Sequence, residues 1–373
     1  MKITELSIHA VRASDRGDWY FVQVNTDEGI WGIGEASQSG NNNLLVVTLK
    51  DLESRLIGLD PTQPEVIWEF MVRSGDIFSG GKGRIGATAI SAVDQALWDL
   101  TGKVLDVPIW RLLGGKLRNK IRLYANLNRG TSDRSSQGFA DAAKRAVDAG
   151  FMAVKATPFD EVHWSNMDRN GLNRDVQKGL ERLEFTRRAI GDDIELLVDC
   201  HQRFDISLAM EVAEKVRPLN LYWFEEPVPC NQMEAIRHLT INSKHRIAGG
   251  EALFGREQFW DYISEGLFHV IMPDVKHAGG ITECRRIAAM AEVRQIQVAP
   301  HSPAGPISTM ASVHLAATIP NFTFLEYAFG EVDWRSRLTI PNELVSDGFI
   351  DVPDLPGLGI VFDFEMISKN RIA

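Results

Sequence analysis

Cysteine is scarce in this chain, with only Cys200, Cys230 and Cys284 among 373 residues. They are odd in number, far apart and in no CxxC spacing. That argues against a disulfide framework and against a structural zinc site, and points to a reduced, cytoplasmic setting. A basic excess is also lacking. Lys and Arg number 40 against 50 Asp and Glu, a net charge of −10. Such a surface repels phosphate backbones and anionic lipid, so neither nucleic acid nor a membrane is the expected partner. No apolar run approaches the roughly 18–20 residues that span a bilayer. The start, Met1-Lys2-Ile3-Thr4-Glu5, reaches Arg12, Asp15 and Arg16 without the apolar stretch of a secretory signal. No GxGxxG follows an early strand, which weighs against an open dinucleotide-binding sheet.

What is present suits a large folded core: 44% apolar and 24% charged residues, ordinary values for globular proteins. The length suggests two domains, or one barrel with an addition. Ile3 to Val11 and Tyr20 to Asn25 alternate like antiparallel strands. A turn at Asp27-Glu28-Gly29 then leads to Ile30–Ile33. From Asn43 to about Gly115 the apolar spacing becomes helical, most clearly over Ala87–Trp98. Strands followed by helices describe a small α+β unit.

After Lys116 short apolar runs recur, with amphipathic segments between most of them. They are Ile121–Asn126, Met152–Pro158, Ile194–Cys200, Leu221–Pro227, Arg246–Glu251, His269–Asp274, Gln295–His301 and Thr323–Ala328. Eight strands alternating with helices predict a closed β/α barrel, built with parallel pairing and right-handed crossovers. Past Glu331 the rhythm stops. A Pro- and Gly-rich segment, Val352 to Gly359, precedes a last strand-like Ile360–Phe364. This tail is expected to pack back on the N-terminal unit, giving residues 1–118 and 331–373 as a cap and 119–330 as the barrel.

Barrel strands deliver their C-terminal ends to the active site. Three consecutive strands deliver Asp199, Glu225 and Glu251, each 26 residues after the last. Three carboxylates at one level repel one another and demand a hard, oxygen-seeking cation, for which Mg²⁺ fits best. Capping of the following helices or pairing with Lys and Arg explains any one of them equally well. Glu226 should point to the opposite side of its strand. The next two strands deliver Asp274 and His301, where an Asp can fix the tautomer of a His and make it a general base. Glu326 on the eighth strand could stay protonated and donate to a substrate oxygen, or pair with a barrel cation. Lys155 on the second could hold a carboxylate or enolate oxygen, or pair with the acids. His201 points at the site if its strand continues past Asp199, and is then a candidate acid. Together these residues suit proton abstraction beside a carboxylate.

The chain resembles the enolase superfamily, and within it the mandelate racemase subgroup, along nearly its whole length. The stretches that carry this are Trp31-Gly32-Ile33-Gly34-Glu35-Ala36, Asp94-Gln95-Ala96-Leu97-Trp98-Asp99-Leu100, Trp110-Arg111-Leu112-Leu113-Gly114-Gly115 and Trp223-Phe224-Glu225-Glu226-Pro227. Gly249-Gly250-Glu251, Pro273-Asp274 with Gly279-Gly280, and Asp354-Leu355-Pro356-Gly357-Leu358-Gly359 complete the set. The resemblance implies a modified (β/α)7β barrel under an α+β cap. It also implies one Mg²⁺ on Asp199, Glu225 and Glu251, a His301–Asp274 dyad, Glu326 as a carboxylate-binding acid, and ene-diolate chemistry. A homo-oligomer, dimer or octamer, is implied as well. Cap loops at about Ser14–Tyr20 and Ser37–Asn43 would select substrate, with Trp19, Asn41 and Asn42 as contacts. His163, Arg169 and Arg174 in and beside Phe159–Asn173 are further candidates.

One departure is informative. Racemases of the subgroup carry Lys-x-Lys on the second barrel strand, whereas here the run is Lys155-Ala156-Thr157. Asp199-Cys200-His201 resembles the Asp-x-His of its sugar-acid dehydratases, such as those acting on galactonate. The expected reaction is dehydration of a small-molecule acid-sugar carboxylate to a 2-keto-3-deoxy acid. Epimerisation or cycloisomerisation through the same ene-diolate is the alternative, and a non-catalytic metal-binding barrel the third reading.

Overall fold

The computed structural model describes residues 1–38, 40–75, 83–163, 165 and 168–372. The N-terminal region opens with an antiparallel sheet of β1 (Ile3–Ser14), β2 (Gly17–Thr26) and β3 (Trp31–Glu35). Helices α1 (Asn42–Leu56), α2 (Pro64–Gly75) and α3 (Gly83–Val104) pack on it, followed by the short α4 (Ile109–Leu112). The two glycines of β3 explain its close seat on α3. A Cβ on Gly32 would fall 2.0 Å from Ala96 O, and one on Gly34 2.0 Å from Ala92 O. Only a bare backbone fits there.

The barrel follows in strict alternation: β4 (Lys120–Asn126), α5 (Ser136–Asp148), β5 (Ala153–Ala156), α6 (Arg169–Ile190), β6 (Glu195–Asp199), α7 (Ile206–Val216) and β7 (Leu221–Glu225). Then come α8 (Met233–Asn242), β8 (Ile247–Gly249), α9 (Gly255–Glu265), β9 (Val270–Ile271), α10 (Gly280–Val293), β10 (Gln297–Val298), α11 (Pro306–Thr318) and β11 (Leu325–Ala328). All eight predicted strands are present, and all but β4 are shorter than the apolar runs, because polar residues at their ends leave the ladder for the loops. Parallel pairing runs unbroken from β4 to β10, and β11 lies on β4. Between β10 and β11 the link is a single bridge, Val298–Phe322, with Thr323 N donating to Val298 O at 3.0 Å. Large and small side chains alternate in the barrel interior: Tyr124, Trp223 and Phe324 meet edge to face, with Ala153, Ala248 and Ala299 between them. Mixed sizes of this kind fill a tapering interior without voids.

Buried polar contacts fasten the N-terminal region to the barrel. Glu35 accepts from Gly305 N (2.7 Å) and Ser308 N (2.9 Å), which caps the start of α11 with an anion where the helix dipole favours one. Asp94 accepts from Thr282 N (3.1 Å), and Trp98 Nε1 donates to Thr282 Oγ1 (2.8 Å). Asp99 gathers Ile33 N, Leu358 N and Lys103 Nζ at 2.9, 2.8 and 2.6 Å. His314, buried on α11, accepts at Nδ1 from Trp110 N (3.2 Å) and donates from Nε2 to Leu358 O (3.1 Å).

The tail divides between two partners. A hairpin of β13 (Val345–Ser346) and β14 (Phe349–Asp351) extends the barrel sheet, with β14 antiparallel to β4. The sequence pattern does not suggest this addition. The rest turns to the first sheet. Strand β12 (Thr339–Ile340) pairs with β15 (Val361–Phe362), α12 (Phe364–Lys369) follows, Arg12 N donates to Asn370 O, and Ile372 N donates to Ala10 O. Among the described residues no helix is long and apolar enough to cross a membrane.

Candidate active site

The strand register sets the acidic cluster. Asp199 and Glu225 are direct partners across β6 and β7, and Glu251 lies two residues beyond β8. One carboxylate oxygen from each lies within 4.8 Å of the others. Asp199 and Glu225 are buried, Glu251 partly so. Lys155 Nζ reaches into this group from β5, 2.8 Å from Glu225, 3.1 Å from Glu326 and 3.6 Å from Asp199. The ion-pair reading of Lys155 therefore describes its resting contacts, although the side chain also lines the cavity above.

Burial drives Glu225 well above the usual carboxylate range, and the neighbouring acids add to this against the pull of Lys155. Burial also opposes ionisation of Asp199, but His201 and Lys155 prevail and hold it well below that range. One lysine thus leaves the cluster short of positive charge. Glu251 Oε2 has no hydrogen-bond partner, with His301 Nε2 the nearby nitrogen at 3.4 Å. Orphaned carboxylate oxygen, an unfavourably buried Glu225 and an all-oxygen donor set fit a hard divalent cation.

His301 and Asp274 form a close pair, Nδ1 to Oδ2 at 2.7 Å. Burial alone would raise Asp274, yet Lys276, His277 and His301 hold it well below its usual value. Lys276 Nζ contacts the same Asp274 oxygen in a short ion pair. On the other side His201 Nε2 lies 3.0 Å from Asp199 Oδ2. Attraction to Asp199 raises the His201 pKa to about 9 despite burial. Its route to the site differs from the expectation. The strand does not continue: β6 ends at Asp199, and His201 and Gln202 take left-handed φ of 46° and 60°. A turn, not strand periodicity, aims this imidazole.

Of the two readings of Glu326, its contacts are those of the ion pair with a barrel cation. It accepts from Asn126 Nδ2 (2.6 Å) and Ser302 N (2.9 Å) besides Lys155. Burial raises its pKa, but Lys155 and His301 outweigh it and the net shift is downward. These partners keep Glu326 a carboxylate. Glu226 points away from the cluster, accepting from Gln202 Nε2 (2.5 Å), Cys230 Sγ (2.9 Å) and Gly250 N (3.0 Å).

Above these groups lies a cavity of about 480 Å³. Lys155, Asp199, His201, Glu251 and His301 form part of its barrel-side wall. Trp19 and Asn41 line the side given by the N-terminal region, whereas Asn42 does not line the cavity. Asn42 opens α1 and turns toward Tyr20. Ser39 lies outside the described residues. His163, Arg169 and Arg174 do not line the cavity: His163 Nδ1 meets Ser165 Oγ at 2.7 Å and Arg174 pairs with Asp168 at 3.6 Å. Trp164, Asn166 and Met167 of that segment are outside the described residues.

Several site residues are absent from the sequence reading. Trp223 Nε1 donates to Glu225 Oε2 at 2.9 Å, and its position two residues earlier on one strand was an available signal. Lys276 stands two residues after Asp274. Arg84, Asn128 and Arg129 also line the cavity, and no spacing points to them.

Two family models match the chain. Enolase C-terminal domain-like covers residues 138–366, and the mandelate racemase / muconate lactonizing enzyme N-terminal domain covers residues 4–114. The D-galactonate dehydratase of Ralstonia pickettii (strain 12J) is 34% identical over 380 residues, 99% of this chain and 94% of that relative. The D-xylonate dehydratase of Haloferax volcanii is 31% identical over 364 residues, 95% of this chain and 85% of the relative. A solved member of the enolase superfamily from Salmonella Typhimurium superposes with a TM-score of 0.90 at 31% identity, covering 99% of this chain and 98% of that one.

Proposed function

Because the chain belongs to the enolase superfamily, in its mandelate racemase branch, and is a hydro-lyase by that kinship, we propose that it is a Mg²⁺-dependent acid-sugar dehydratase. It would convert the sugar acid to a 2-keto-3-deoxy acid. The relatives named for D-galactonate and D-xylonate support this substrate class. Residues 119–330 act as the barrel that carries the chemistry, its sheet extended by the 345–351 hairpin, and residues 1–118 with the rest of the 331–373 tail act as the cap over it.

The observation that carries the reading is the placement of a His301–Asp274 dyad and a second histidine, His201, across one acidic cluster. Asp274 holds the proton of His301 on Nδ1 at 2.7 Å, which leaves Nε2 free to take the α-proton. A cation held by Asp199, Glu225 and Glu251 would supply electrostatic stabilisation for the second negative charge that forms on the substrate carboxylate. Lys155 places a further positive charge beneath the same cavity. His201, with Nε2 3.0 Å from Asp199 Oδ2 on the cavity wall, is placed to hold a proton facing the substrate. It gives that proton to the β-hydroxyl, which leaves as water, and the resulting enol tautomerises to the keto acid.

Thr157 stands where the subgroup's racemases carry their second base, so the dehydration reading is favoured over two-base epimerisation. The test is to screen the purified Mg²⁺-loaded protein against acid sugars and detect 2-keto-3-deoxy products. The His301→Asn protein should be inactive; undiminished dehydration by that variant would refute the assignment.

A further inference from the structure

The charges around the cavity are not all accounted for by this chemistry. Five Lys and Arg side chains line it: Arg16, Arg84, Arg129, Lys155 and Lys276. Lys155 is held by Glu225 and Glu326, Lys276 by Asp274, and Arg129 by Glu331 at 2.7 Å. Asp18, the acid on the cap side of the lining, is turned to Arg12 at 3.0 Å. The Arg84 guanidinium has no ion pair or hydrogen bond among the described residues, although it is half-buried. It reaches the cavity from the first turn of α3, beside Ile85, and its charge bears on the buried His277.

A half-buried guanidinium has given up part of its hydration and needs a counter-anion. Besides Glu251 Oε2 at the floor, two orphaned polar atoms line the same space: Gln38 Nε2, a donor on the cap side, and Asn128 Oδ1, an acceptor. The acids of the metal cluster lie at the barrel floor, so a ligand whose carboxylate engages that floor presents its far end to the cap.

We propose that Arg84 is a specificity residue for a second anionic group at the far end of the acid sugar. The substrate class is thereby narrowed to dianionic acids, with a terminal carboxylate (an aldarate) or a terminal phosphate. Either matches a guanidinium fork through paired charge-assisted hydrogen bonds. The donor amide of Gln38 complements the same anion, while Asn128 Oδ1 is placed to accept from a sugar hydroxyl. This inference rests on the dehydratase reading and names the substrate of that same site.

The test uses the full chain with Mg²⁺ and three matched ligand sets: six-carbon aldonates, the corresponding aldarates and 6-phosphoaldonates. Binding is measured by calorimetry, and kcat and KM by keto-acid formation. For the preferred dianion the wild type should exceed its aldonate by about 10–100-fold in kcat/KM, the range expected for one charge-assisted pair. Arg84→Gln should collapse that preference mainly through KM, and Arg84→Lys should restore part of it. The aldarate and phosphate arms identify which anion is read. Equal or better use of aldonates, with Arg84→Gln affecting all ligands alike, overturns the proposal and leaves the dehydratase reading standing. Tight dianion binding that depends on Arg84, without keto-acid formation or α-proton exchange in D2O, supports the anion site and overturns the dehydratase reading instead.

Discussion

Acid should loosen the seam between cap and barrel through His314. Its Nδ1 accepts from Trp110 N and its Nε2 donates to Leu358 O, so the ring is bound as one neutral tautomer. Protonation would set an N–H against an N–H in a buried site. Burial accordingly lowers its pKa to about 4. The folded value lies below the unfolded one, so His314 contributes its full stability above the unfolded pKa of about 6.5 and loses it as pH falls toward 4. Linkage puts the loss at about 2 kcal/mol by about pH 5 and about 3 kcal/mol by about pH 4. The perturbation is His314→Gln, which removes the titration whatever its fixed cost. Urea unfolding of both proteins between about pH 8 and pH 5 gives the stability gap at each pH. That gap should shrink by about 2 kcal/mol on acidification, since other titrating groups cancel in the difference. A gap that stays constant with pH would refute the reasoning, because it would mean His314 titrates alike in both states.

Removing Mg²⁺ with a chelator should abolish activity, and re-addition at about 100 times Kd should stabilise the fold by about 2.7 kcal/mol; Glu225→Gln should largely lose that metal-dependent rise in Tm. Asp274→Asn should lower kcat by about 10²–10⁴-fold through loss of the His301 tautomer, with Mg²⁺ binding by calorimetry retained. Gly34→Ala should cost at least about 2 kcal/mol in urea unfolding, since its Cβ would meet Ala92 O at 2.0 Å.

Much of the barrel was legible because its grammar is local. Each βα unit repeats an apolar strand and an amphipathic helix, so the recurrence of Asp199, Glu225 and Glu251 at one interval marks one level of the sheet. Where geometry departs from that repeat, spacing misleads. His201 follows a strand that stops at Asp199, and only a left-handed turn brings it back to the acid. The charge state of Glu326 depends on Asn126, Ser302 and Lys155, which arrive from other elements and carry no mark of their role in the chain. Arg84 is hidden for a similar reason, since it belongs to a helix whose visible pattern reports only its buried face. The β13–β14 hairpin is too short to show alternation, so its addition to β4 has no periodic signal.

The junction of Ile372 N with Ala10 O, beside the Val11–Arg371 bridge, has a consequence for the order in which the protein folds. Strand β1 is bordered by residues 370–372, which stand more than three hundred positions later in the sequence. The barrel can consolidate through neighbouring βα contacts while the opening sheet still waits for its edge. Deleting residues 364–372 would therefore strip the Asn370, Arg371 and Ile372 contacts from β1 without touching any residue of the chemistry, and that variant should keep its barrel while its first sheet melts at a lower temperature.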